Sequence, residues 1–325
     1  MENNSMKKIL ILKSDRGDFE KYYIEHMQAE NIKTVSIHRY NDGIMWKLTW
    51  LWREIFKLPC SHIWFGNWKR ELSDYDEIIV FDNNLNWNIL KYINKKNPKA
   101  RIIAWYWNFI KKKKQLVPKK YRRICEIWSF DKGDCIKYGI KQNTQFYVGE
   151  MREQEDLSTY SAIFVGKDKG RYEKIMEIKN FLVKNGFSVY VNVVRDKSSL
   201  ISRIKEKVSV IFCQSYCKKD YGKPLSYYQL IKKIEKSKCI IDIPQKGQTG
   251  MTARVLEALF FHKKLITSDK TLLNFEWFRE ENILIWDGRP SEDKVNSFFE
   301  VPYIKIGEIE KKYSFEQWIR NFNED

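Results

Sequence analysis

Arg254 and Glu257 lie three residues apart in the stretch Cys239–Thr267. The pattern of this stretch predicts a strand, a glycine loop, a helix and a second strand. Residues at this spacing share one face of a helix. The loop, with Gly247 and Gly250, would direct backbone N–H groups and the positive end of the helix at one point, which suits a phosphate. Arg254 would then hold a diphosphate and Glu257 the hydroxyls of a ribose. Alternatively, the two side chains form a surface ion pair and the loop is only a turn.

A second glycine loop lies earlier in the same half of the chain. It runs from Gly166 to Arg171, after the apolar run 161–165 and before a helical pattern that extends to Asn185. Gly166, Lys167 and Arg171 would lie over a phosphate if the loop wraps one. One such loop is weak evidence, but two of them in one half of the chain point to the same ligand.

Two aspartates follow strand-like runs in the first half of the chain. Asp15 comes after the run Lys8–Leu12, and Asp82 comes directly after Glu77–Phe81. Residues at the carboxyl ends of strands face the ligand crevice in open α/β sheets. Asp15 is therefore a candidate general base that takes a proton from an acceptor hydroxyl, and Asp82 is a second candidate. Asp15 could instead cap the helix that begins near Phe19.

The residue types that bind metals give no pattern in this sequence. Asp74-Tyr75-Asp76 precedes a strand, which places it at the wrong edge of a sheet for a metal bound by a donor. The four histidines are scattered, and the six cysteines include no Cys-x-x-Cys. The N-terminal apolar run is short and predicts a first strand and not a signal peptide. We therefore expect no metal site, and reduced thiols in a cytoplasmic protein.

The elements that must position these residues alternate between short apolar runs and helical patterns in both halves of the chain. This alternation predicts an α/β protein with doubly wound parallel sheets. A polar, acidic stretch at 149–159 has little periodicity and predicts a linker. The prediction is thus two Rossmann-like domains, 1–150 and 151–325. An amphipathic helix at 313–322 closes the second domain or packs back on the first.

The charge and the aromatic content narrow the class of partner. The formal net charge is +17 and aromatic residues make up 15% of the chain, which fits nucleic acid, an anionic membrane or phosphorylated small molecules. No apolar run approaches the roughly 20 residues of a membrane span. The segment Trp46–Leu58 would form a helix that lies in a membrane interface or packs into the core. The basic run Lys111–Arg123 is either a solvated surface or a contact with anionic lipid.

Four segments carry a resemblance to a known family: Glu126–Lys141, Phe164–Arg171, Ser226–Ile243 and Gly247–Leu259. In their order and spacing they resemble bacterial glycosyltransferases of the GT-B fold, in the family labelled CgeB-like or lipopolysaccharide core and capsular polysaccharide biosynthesis. The resemblance covers about two thirds of the chain and is weakest over the first hundred residues.

This resemblance implies two Rossmann-like domains that face a cleft, with the nucleotide-sugar donor in the C-terminal domain and the acceptor in the N-terminal domain. Glu257 would bind the ribose. Arg254 would hold the diphosphate, flanked by Gly166–Arg171. The loop before the helix would contribute Gln248, Thr249, Gly250 and Thr252. The helix dipole with Arg254 or Lys167 would stabilise the leaving diphosphate, so that no metal and no other cofactor is required.

The function implied is a hexosyltransferase that moves a sugar from a nucleotide sugar to a glycan or lipid-linked acceptor, in lipopolysaccharide, capsule or exopolysaccharide synthesis. It would be cytoplasmic and peripherally bound to the anionic inner face of the plasma membrane, with no specific nucleic-acid partner. Many retaining GT-B enzymes carry a glutamate eight positions before the ribose glutamate. Thr249 stands there in this chain, which favours inversion of the anomeric centre.

Two alternative functions remain open at this point. A nucleotide-sugar epimerase can have the same two-domain architecture, but it would leave the basic, aromatic N-terminal half unexplained. A non-enzymatic nucleic-acid binder would account for the charge, although no RNA- or DNA-binding motif is present. The sequence predicts neither the sugar, the base of the nucleotide, the acceptor nor the oligomeric state.

Overall fold

The chain is described by a computed structural model. It covers residues 6–40, 43–52, 61–82, 85–110, 119–149, 158–195, 219–245 and 251–324. Several predicted features lie outside these residues: the strand Val208–Cys213, most of the basic run Lys111–Arg123, and the loop residues Gln248, Thr249 and Gly250. The chain divides into two compact units, one made of Met1–Gly149 and Glu310–Asp325, the other of Glu150–Ile309.

The first unit is built on a parallel sheet. Its strands in the described residues are β1 (Ile9–Lys13), β2 (Ile32–Ser36), β3 (Glu77–Phe81), β4 (Arg101–Tyr106), β5 (Glu126–Ser129) and β6 (Lys141–Gln142). They pair in the order β2-β1-β3-β4-β5-β6, and each pairing is parallel. Every residue of β1 and β3 is buried, as is typical of parallel strands covered on both faces.

The second unit repeats this plan with a smaller sheet. Its described strands are β7 (Tyr160–Lys167), β8 (Val189–Val194), β9 (Ser237–Asp242), β10 (Lys264–Thr267) and β11 (Ile283–Ile285). They pair in the order β11-β10-β9-β7-β8, again parallel throughout. The carboxyl ends of β7 and β9 are therefore neighbours, which brings the loops that follow them to one edge.

Helices connect the strands. In the described residues they are α1 (Asp18–His26), α2 (Gly43–Trp50), α3 (Trp87–Lys96), α4 (Lys132–Tyr138), α5 (Tyr172–Lys184), α6 (Tyr227–Glu235), α7 (Ala253–Phe260), α8 (Glu292–Glu300), α9 (Ile309–Lys312) and α10 (Phe315–Asn321). Short 3₁₀ turns occur at Ser61–Trp64, Asn67–Arg70, Leu72–Asp74, Tyr121–Arg123 and Lys270–Asn274. In the described part of the chain, no helix combines the length and the hydropathy that crossing a bilayer requires.

Several helix ends follow from local chemistry. Ser226 and Gln229 form a reciprocal capping box at the start of α6. Asp131 accepts a hydrogen bond from the backbone of Asp134 at the start of α4. Gly139 ends that helix in the left-handed region, at φ 58°, where glycine carries no steric penalty.

The C-terminal helix α10 packs on the first unit. Trp318 is fully buried, and its ring lies 5.4 Å from that of Trp105 on β4, between ring centroids. Asn143 donates a hydrogen bond to the Trp318 carbonyl oxygen at 3.0 Å, and Arg101 donates to the Phe322 carbonyl oxygen at 2.7 Å. The apolar face of this helix is thus buried within the first unit.

Candidate functional site

Thr252 ties β9 to the helix that carries Arg254 and Glu257. Its hydroxyl oxygen accepts a hydrogen bond from the Val255 N–H at 3.3 Å, which caps α7. The same hydroxyl donates to Asp242 Oδ2 at 2.7 Å, at the carboxyl end of β9. The amino end of α7 is thus held at this edge of the second sheet. The residues 246–250, which precede Met251, lie outside the described part of the chain.

Asp242 is a buried carboxylate that the sequence did not single out. Burial raises its pKa, and the Thr252 hydroxyl, Arg171 and Arg254 act in the opposite direction. Arg171 ends the loop after β7, and Arg254 lies in the first turn of α7. The hydrogen bond from Arg171 to the Ile243 carbonyl oxygen joins the loop after β7 to the end of β9.

Arg171 spans the ends of the two neighbouring strands. Its guanidinium donates to the carbonyl oxygen of Ile243, just after β9, and its Nε donates to the Lys167 carbonyl oxygen at 3.2 Å. A Cβ on Gly166 would lie 3.2 Å from the Arg171 guanidinium. Glycine at that position therefore leaves room for the arginine, while the Lys167 side chain is exposed at the end of β7.

Asp168 organises the loop between β7 and α5. Its Oδ1 accepts hydrogen bonds from the backbone N–H groups of Arg171 at 3.1 Å and Tyr172 at 3.0 Å. Its Oδ2 accepts one from the Tyr221 hydroxyl at 2.6 Å, and Lys219 Nζ lies 3.7 Å away. The carboxylate is thus engaged in shaping the loop around the amino end of α5.

Glu257 and Arg254 form an ion pair of which only one partner is accessible. Glu257 is fully buried, whereas the Arg254 side chain is 25% exposed. One Glu257 oxygen contacts the Arg254 guanidinium, and the other accepts a hydrogen bond from the buried Tyr227 hydroxyl at 2.9 Å. Burial raises the pKa of Glu257, and Arg254 opposes this shift. The expectation of a surface ion pair is wrong, because the carboxylate lies in the interior.

The ribose role of Glu257 stays a prediction with a specific requirement. Each carboxylate oxygen can accept a further hydrogen bond, but Glu257 is fully buried, so a ribose hydroxyl would reach it only if a side chain that covers it moves. Tyr227 was not among the predicted site residues. The only signal in the sequence is that Tyr227 lies within a segment rich in tyrosine and lysine, residues 216–228.

Residues 219–225 are anchored near this edge of the second sheet. The Tyr172 hydroxyl accepts a hydrogen bond from the Asp220 N–H at 2.9 Å. The Gly222 N–H donates to the Val193 carbonyl oxygen at 2.9 Å, and Asn192 donates to the Lys223 carbonyl oxygen at 3.0 Å. The segment thus lies against the ends of β7 and β8.

The carboxyl edge of the first sheet holds a buried lysine that the sequence did not identify. Lys13, at the end of β1, is 2% exposed. Its Nζ lies 5.8, 5.6 and 5.7 Å from the ring centroids of Tyr23, Phe81 and Trp107. Burial lowers the pKa of Lys13 to about 8, and the negative charges of Glu20, Asp82 and Asp15 oppose this shift.

The two predicted aspartates share this edge. Asp82 is buried, and its Oδ2 accepts hydrogen bonds from the Asn108 backbone N–H at 3.2 Å and side-chain amide at 3.3 Å. Asp15 is half-buried in the loop after β1. Helix α1 is capped by Gly17 without a side-chain hydrogen bond, so the interpretation of Asp15 as its cap is wrong. The base role of either aspartate remains a prediction.

Helix α2 exposes an aliphatic face close to Asp15. Ile44 and Leu48, one turn apart, are 74% and 50% exposed. On the same helix, the Trp46 ring lies 4.6 Å from the Arg16 guanidinium carbon, in the loop that also carries Asp15. The described part of the segment Trp46–Leu58 therefore exposes aliphatic side chains, and the prediction that it packs into the core does not hold for these residues. Residues 53–58 lie outside the described part of the chain.

Comparison with solved structures identifies the fold. No protein-family model matches the chain, and no curated protein matches its sequence. Among solved structures, Anabaena HepE in complex with UDP and glucose is similar, with a TM-score of 0.55 and 9% identity over 98% of each chain. A DNA-modifying β-glucosyltransferase aligns over 98% of this chain and 99% of its own, with 12% identity and a TM-score of 0.49. Two parallel α/β domains and the likeness to HepE show that the chain has the GT-B fold.

Proposed function

We propose that this protein is a glycosyltransferase that moves a hexose from a nucleotide sugar to a glycan or lipid-linked acceptor. The observation that carries the proposal is that the amino ends of two helices are tied to the end of the same strand, β9, in a GT-B fold. Arg171, at the start of α5, donates to the carbonyl oxygen of Ile243, and Thr252, which caps the helix of Arg254, donates to Asp242. Two guanidinium groups and two positive helix ends suit a diphosphate, which carries several anionic oxygens.

The proposed reaction balances without a further reactant. A carboxylate of the first unit, Asp15 or Asp82, takes the proton from an acceptor hydroxyl. The hydroxyl oxygen forms a bond to the anomeric carbon as the bond from that carbon to the diphosphate oxygen breaks. The nucleoside diphosphate leaves with the electron pair, and Arg171 and Arg254 stabilise its charge. Displacement in one step inverts the anomeric centre, as the threonine at position 249 favours.

We also propose that no metal takes part in this step. Arg171 and Arg254 supply the positive charge that a cation would otherwise provide. In the described residues no group of three metal-binding side chains is found. Transfer should therefore persist in EDTA. Loss of activity that manganese restores would contradict this part of the proposal.

The cellular setting follows from charge and surface, again as a proposal. The resemblance to the CgeB-like and capsule family supports a role in lipopolysaccharide, capsule or exopolysaccharide synthesis. The net charge of +17 and the exposed aliphatic residues of α2 beside Lys47 support peripheral binding to the anionic inner face of the plasma membrane. Binding to anionic vesicles should fall with added salt; equal binding to neutral vesicles would remove the electrostatic role.

Donor binding provides the direct test. A ligand that binds only the folded state raises the melting temperature, so the purified protein is heated with UDP, GDP, CMP, dTDP and their sugar conjugates. One nucleotide family should raise the melting temperature, and Arg171→Ala should reduce the rise. Arg279→Ala is a matched control, because Arg279 is exposed and also donates to backbone carbonyl oxygens, those of Glu276 and Phe278.

Three outcomes separate the alternatives. A rise that Arg171→Ala abolishes and Arg279→Ala leaves unchanged supports the proposed donor site. No rise with any nucleotide, in protein that unfolds cooperatively, overturns the proposal. Conversion of the sugar nucleotide into an isomer without any acceptor would instead establish an epimerase.

A further inference from the structure

Asp168 is a buried carboxylate in the loop between β7 and α5, and the proposed reaction has no use for it. The residue is 8% exposed, although removing a carboxylate from water is costly. An anionic side chain in a loop that is proposed to hold a diphosphate would also repel that ligand. The presence of Asp168 in this loop therefore needs an explanation other than contact with the donor.

Four donors from two parts of the chain surround the Asp168 carboxylate. Its Oδ1 accepts hydrogen bonds from the backbone N–H groups of Arg171 at 3.1 Å and Tyr172 at 3.0 Å. Its Oδ2 accepts one from the Tyr221 hydroxyl at 2.6 Å and lies 3.7 Å from Lys219 Nζ. Burial raises the pKa of Asp168, but the hydrogen bonds from Tyr221 and Tyr172 lower it further, to below its usual value. The carboxylate is thus ionised at neutral pH, and its charge is balanced by these donors.

The carboxylate stabilises a turn that is unfavourable by itself. The Arg171 N–H also donates to the Asp168 carbonyl oxygen at 2.9 Å, which closes a β-turn over residues 168–171. Lys169 and Gly170, the central residues of this turn, have φ angles of 47° and 78°. A lysine rarely adopts this left-handed region, and such a conformation persists only where the surrounding structure holds it. The hydrogen bonds that Asp168 Oδ1 accepts at the end of the turn contribute to that hold.

The position of the turn decides where the Arg171 guanidinium lies. Its Nε donates to the Lys167 carbonyl oxygen at 3.2 Å, and another of its N–H groups donates to the carbonyl oxygen of Ile243. These bonds place the guanidinium between the ends of β7 and β9, and they require the backbone of Arg171 to stay where the turn puts it. Asp168 therefore acts on the guanidinium through the backbone.

The segment 219–225 supports the carboxylate from the other side. The Tyr221 hydroxyl donates to Asp168 Oδ2, and the next residue, Gly222, donates its N–H to the Val193 carbonyl oxygen on β8 at 2.9 Å. The chain beside Tyr221 is thus fixed to the sheet. Asp168 is held between this segment and the turn.

We propose that Asp168 is a positioning residue, which fixes the turn 168–171 against Tyr221 and so sets Arg171 for the diphosphate of the donor. Tyr221 is a second positioning residue, which acts through Asp168. This inference rests on the proposed function, and it adds two residues that act on the donor only through Arg171. It also explains the buried charge, because a carboxylate can accept from two backbone N–H groups and a hydroxyl at once.

The affinity of the folded protein for a nucleoside diphosphate is the readout that a merely structural aspartate would not change. Titration calorimetry measures Kd for UDP, GDP and dTDP at a temperature at which each variant is folded. Asp168→Ala removes the acceptors, so the Kd of the nucleotide that the wild type binds should rise about tenfold. Asp168→Asn keeps an oxygen for the backbone N–H groups, and its amide can donate to the Tyr221 hydroxyl. Its Kd should therefore stay within about threefold of the wild-type value.

Tyr221→Phe tests the same link from the other side, because it keeps the ring and removes the hydroxyl. It should raise Kd about threefold. In the Asp168→Ala background the same change should have no further effect, since the hydroxyl has already lost its acceptor. Asp220→Asn is the matched control, because Asp220 is an exposed aspartate next to Tyr221; its Kd should equal that of the wild type.

The outcomes distinguish this inference from the proposed function. Wild-type protein that binds none of the three nucleotides overturns the proposed function, and the role of Asp168 falls with it. Weaker binding by Asp168→Ala that Asp168→Asn largely restores, with an effect of Tyr221→Phe only where Asp168 is present, supports the positioning role.

Four results overturn that role alone. The first is a wild-type Kd in Asp168→Ala, whatever its melting temperature, which would make Asp168 merely structural. The second is tighter binding by both Asp168 variants, which would show that the carboxylate chiefly repels the nucleotide. The third is an equal loss of affinity in both. If Asp168→Ala does not fold, the fourth is a wild-type Kd in Tyr221→Phe.

Discussion

The carboxyl edges of the two sheets have the same backbone plan and opposite charge arrangements. In the first unit, the negative charges of Glu20, Asp82 and Asp15 act on one buried ammonium group, that of Lys13. In the second unit, Arg171 and Arg254 both act on Asp242, and the carboxylates bond to protein groups: Asp168 to backbone N–H groups, Asp242 to Thr252 and Glu257 to Tyr227. This difference predicts that carboxylates have reactive roles at the first edge and supporting roles at the second.

The largest expected effect tests the reactive role. Asp15→Asn and Asp82→Asn remove one carboxylate each from the carboxyl edge of the first sheet. The substitution at the base should lower kcat by about 10²- to 10⁴-fold. The free energy of unfolding should change by less than about 1 kcal/mol, because removing one of several like charges relieves repulsion. Steady-state kinetics and urea unfolding measure the two quantities.

Asp18→Asn serves as the control for these variants, since Asp18 is an exposed residue in the first turn of α1. Wild-type kcat in both Asp15→Asn and Asp82→Asn would show that neither aspartate is the base. A loss of several kcal/mol in either would move that aspartate to the supporting class.

The next effect tests the supporting role at the second edge. Glu257→Ala leaves Arg254 without its partner and the Tyr227 hydroxyl without its acceptor, in the interior. Breaking one side of a buried ion pair costs about 3–5 kcal/mol. The double variant Arg254→Leu/Glu257→Leu should recover most of this stability, because no unpaired charge remains, although it should not bind the donor. A Glu257→Ala protein with the wild-type free energy of unfolding would show that Glu257 has no supporting role at the second edge.

A smaller effect tests the segment that lies over the second edge. A Cβ on Gly222 would lie 1.9 Å from Asn192 Oδ1 on β8, so Gly222→Ala must displace either the Asn192 side chain or the segment that carries residue 222. Overpacking of this kind costs about 1–3 kcal/mol, and the displaced segment should also weaken donor binding. Gly222→Ala/Asn192→Ala removes the clashing atom and should restore part of the stability, because the hydrogen bond from Asn192 to the Lys223 carbonyl oxygen is lost as well. Failure of this rescue would show that the glycine serves another purpose.

The smallest effect concerns the opposite edge of the first sheet, where an ion pair has only a structural role. A hydrogen bond from the Arg101 guanidinium, at 2.7 Å, holds the pKa of Glu126 at about 2, below its usual 4.5. This interaction stabilises the fold above about pH 4.5 and is lost as the pH falls towards 2. Melting temperatures measured between pH 6 and 3 should therefore fall less steeply for Glu126→Gln than for the wild type. Parallel curves would show that the pair adds no pH-dependent stability.

The sequence predicted most strands because their runs are apolar and short. Glu77–Phe81 and Lys264–Thr267 are strands with the predicted bounds. The strand β2 escaped prediction since only Thr34 of its five residues is buried, so no apolar run marks it. Helix α8 escaped as well, because its apolar positions are few and Ser291, which caps it, gives a weak signal by itself.

The sequence predicted several residues of the candidate site but not the contacts that they make. Spacing along the chain placed Arg254 and Glu257 on one helix face, but burial decided that Glu257 is the interior partner and Arg254 the accessible one. Lys13 was not identified, since a lysine in sequence gives no sign of burial. Asp242 was not identified either, because its hydrogen bond with Thr252 joins residues on either side of a loop, which the spacing along the chain does not predict.

The sequence by itself determined the α/β alternation, the two glycine loops and the chemical types gathered at strand ends, because these depend on local periodicity and on backbone freedom. Only the tertiary structure decided which charges are buried, which arginines meet and on which unit the C-terminal helix packs. Those outcomes depend on strand order and on the dielectric environment of each group. Residues far apart in the chain create both, and no local pattern records them.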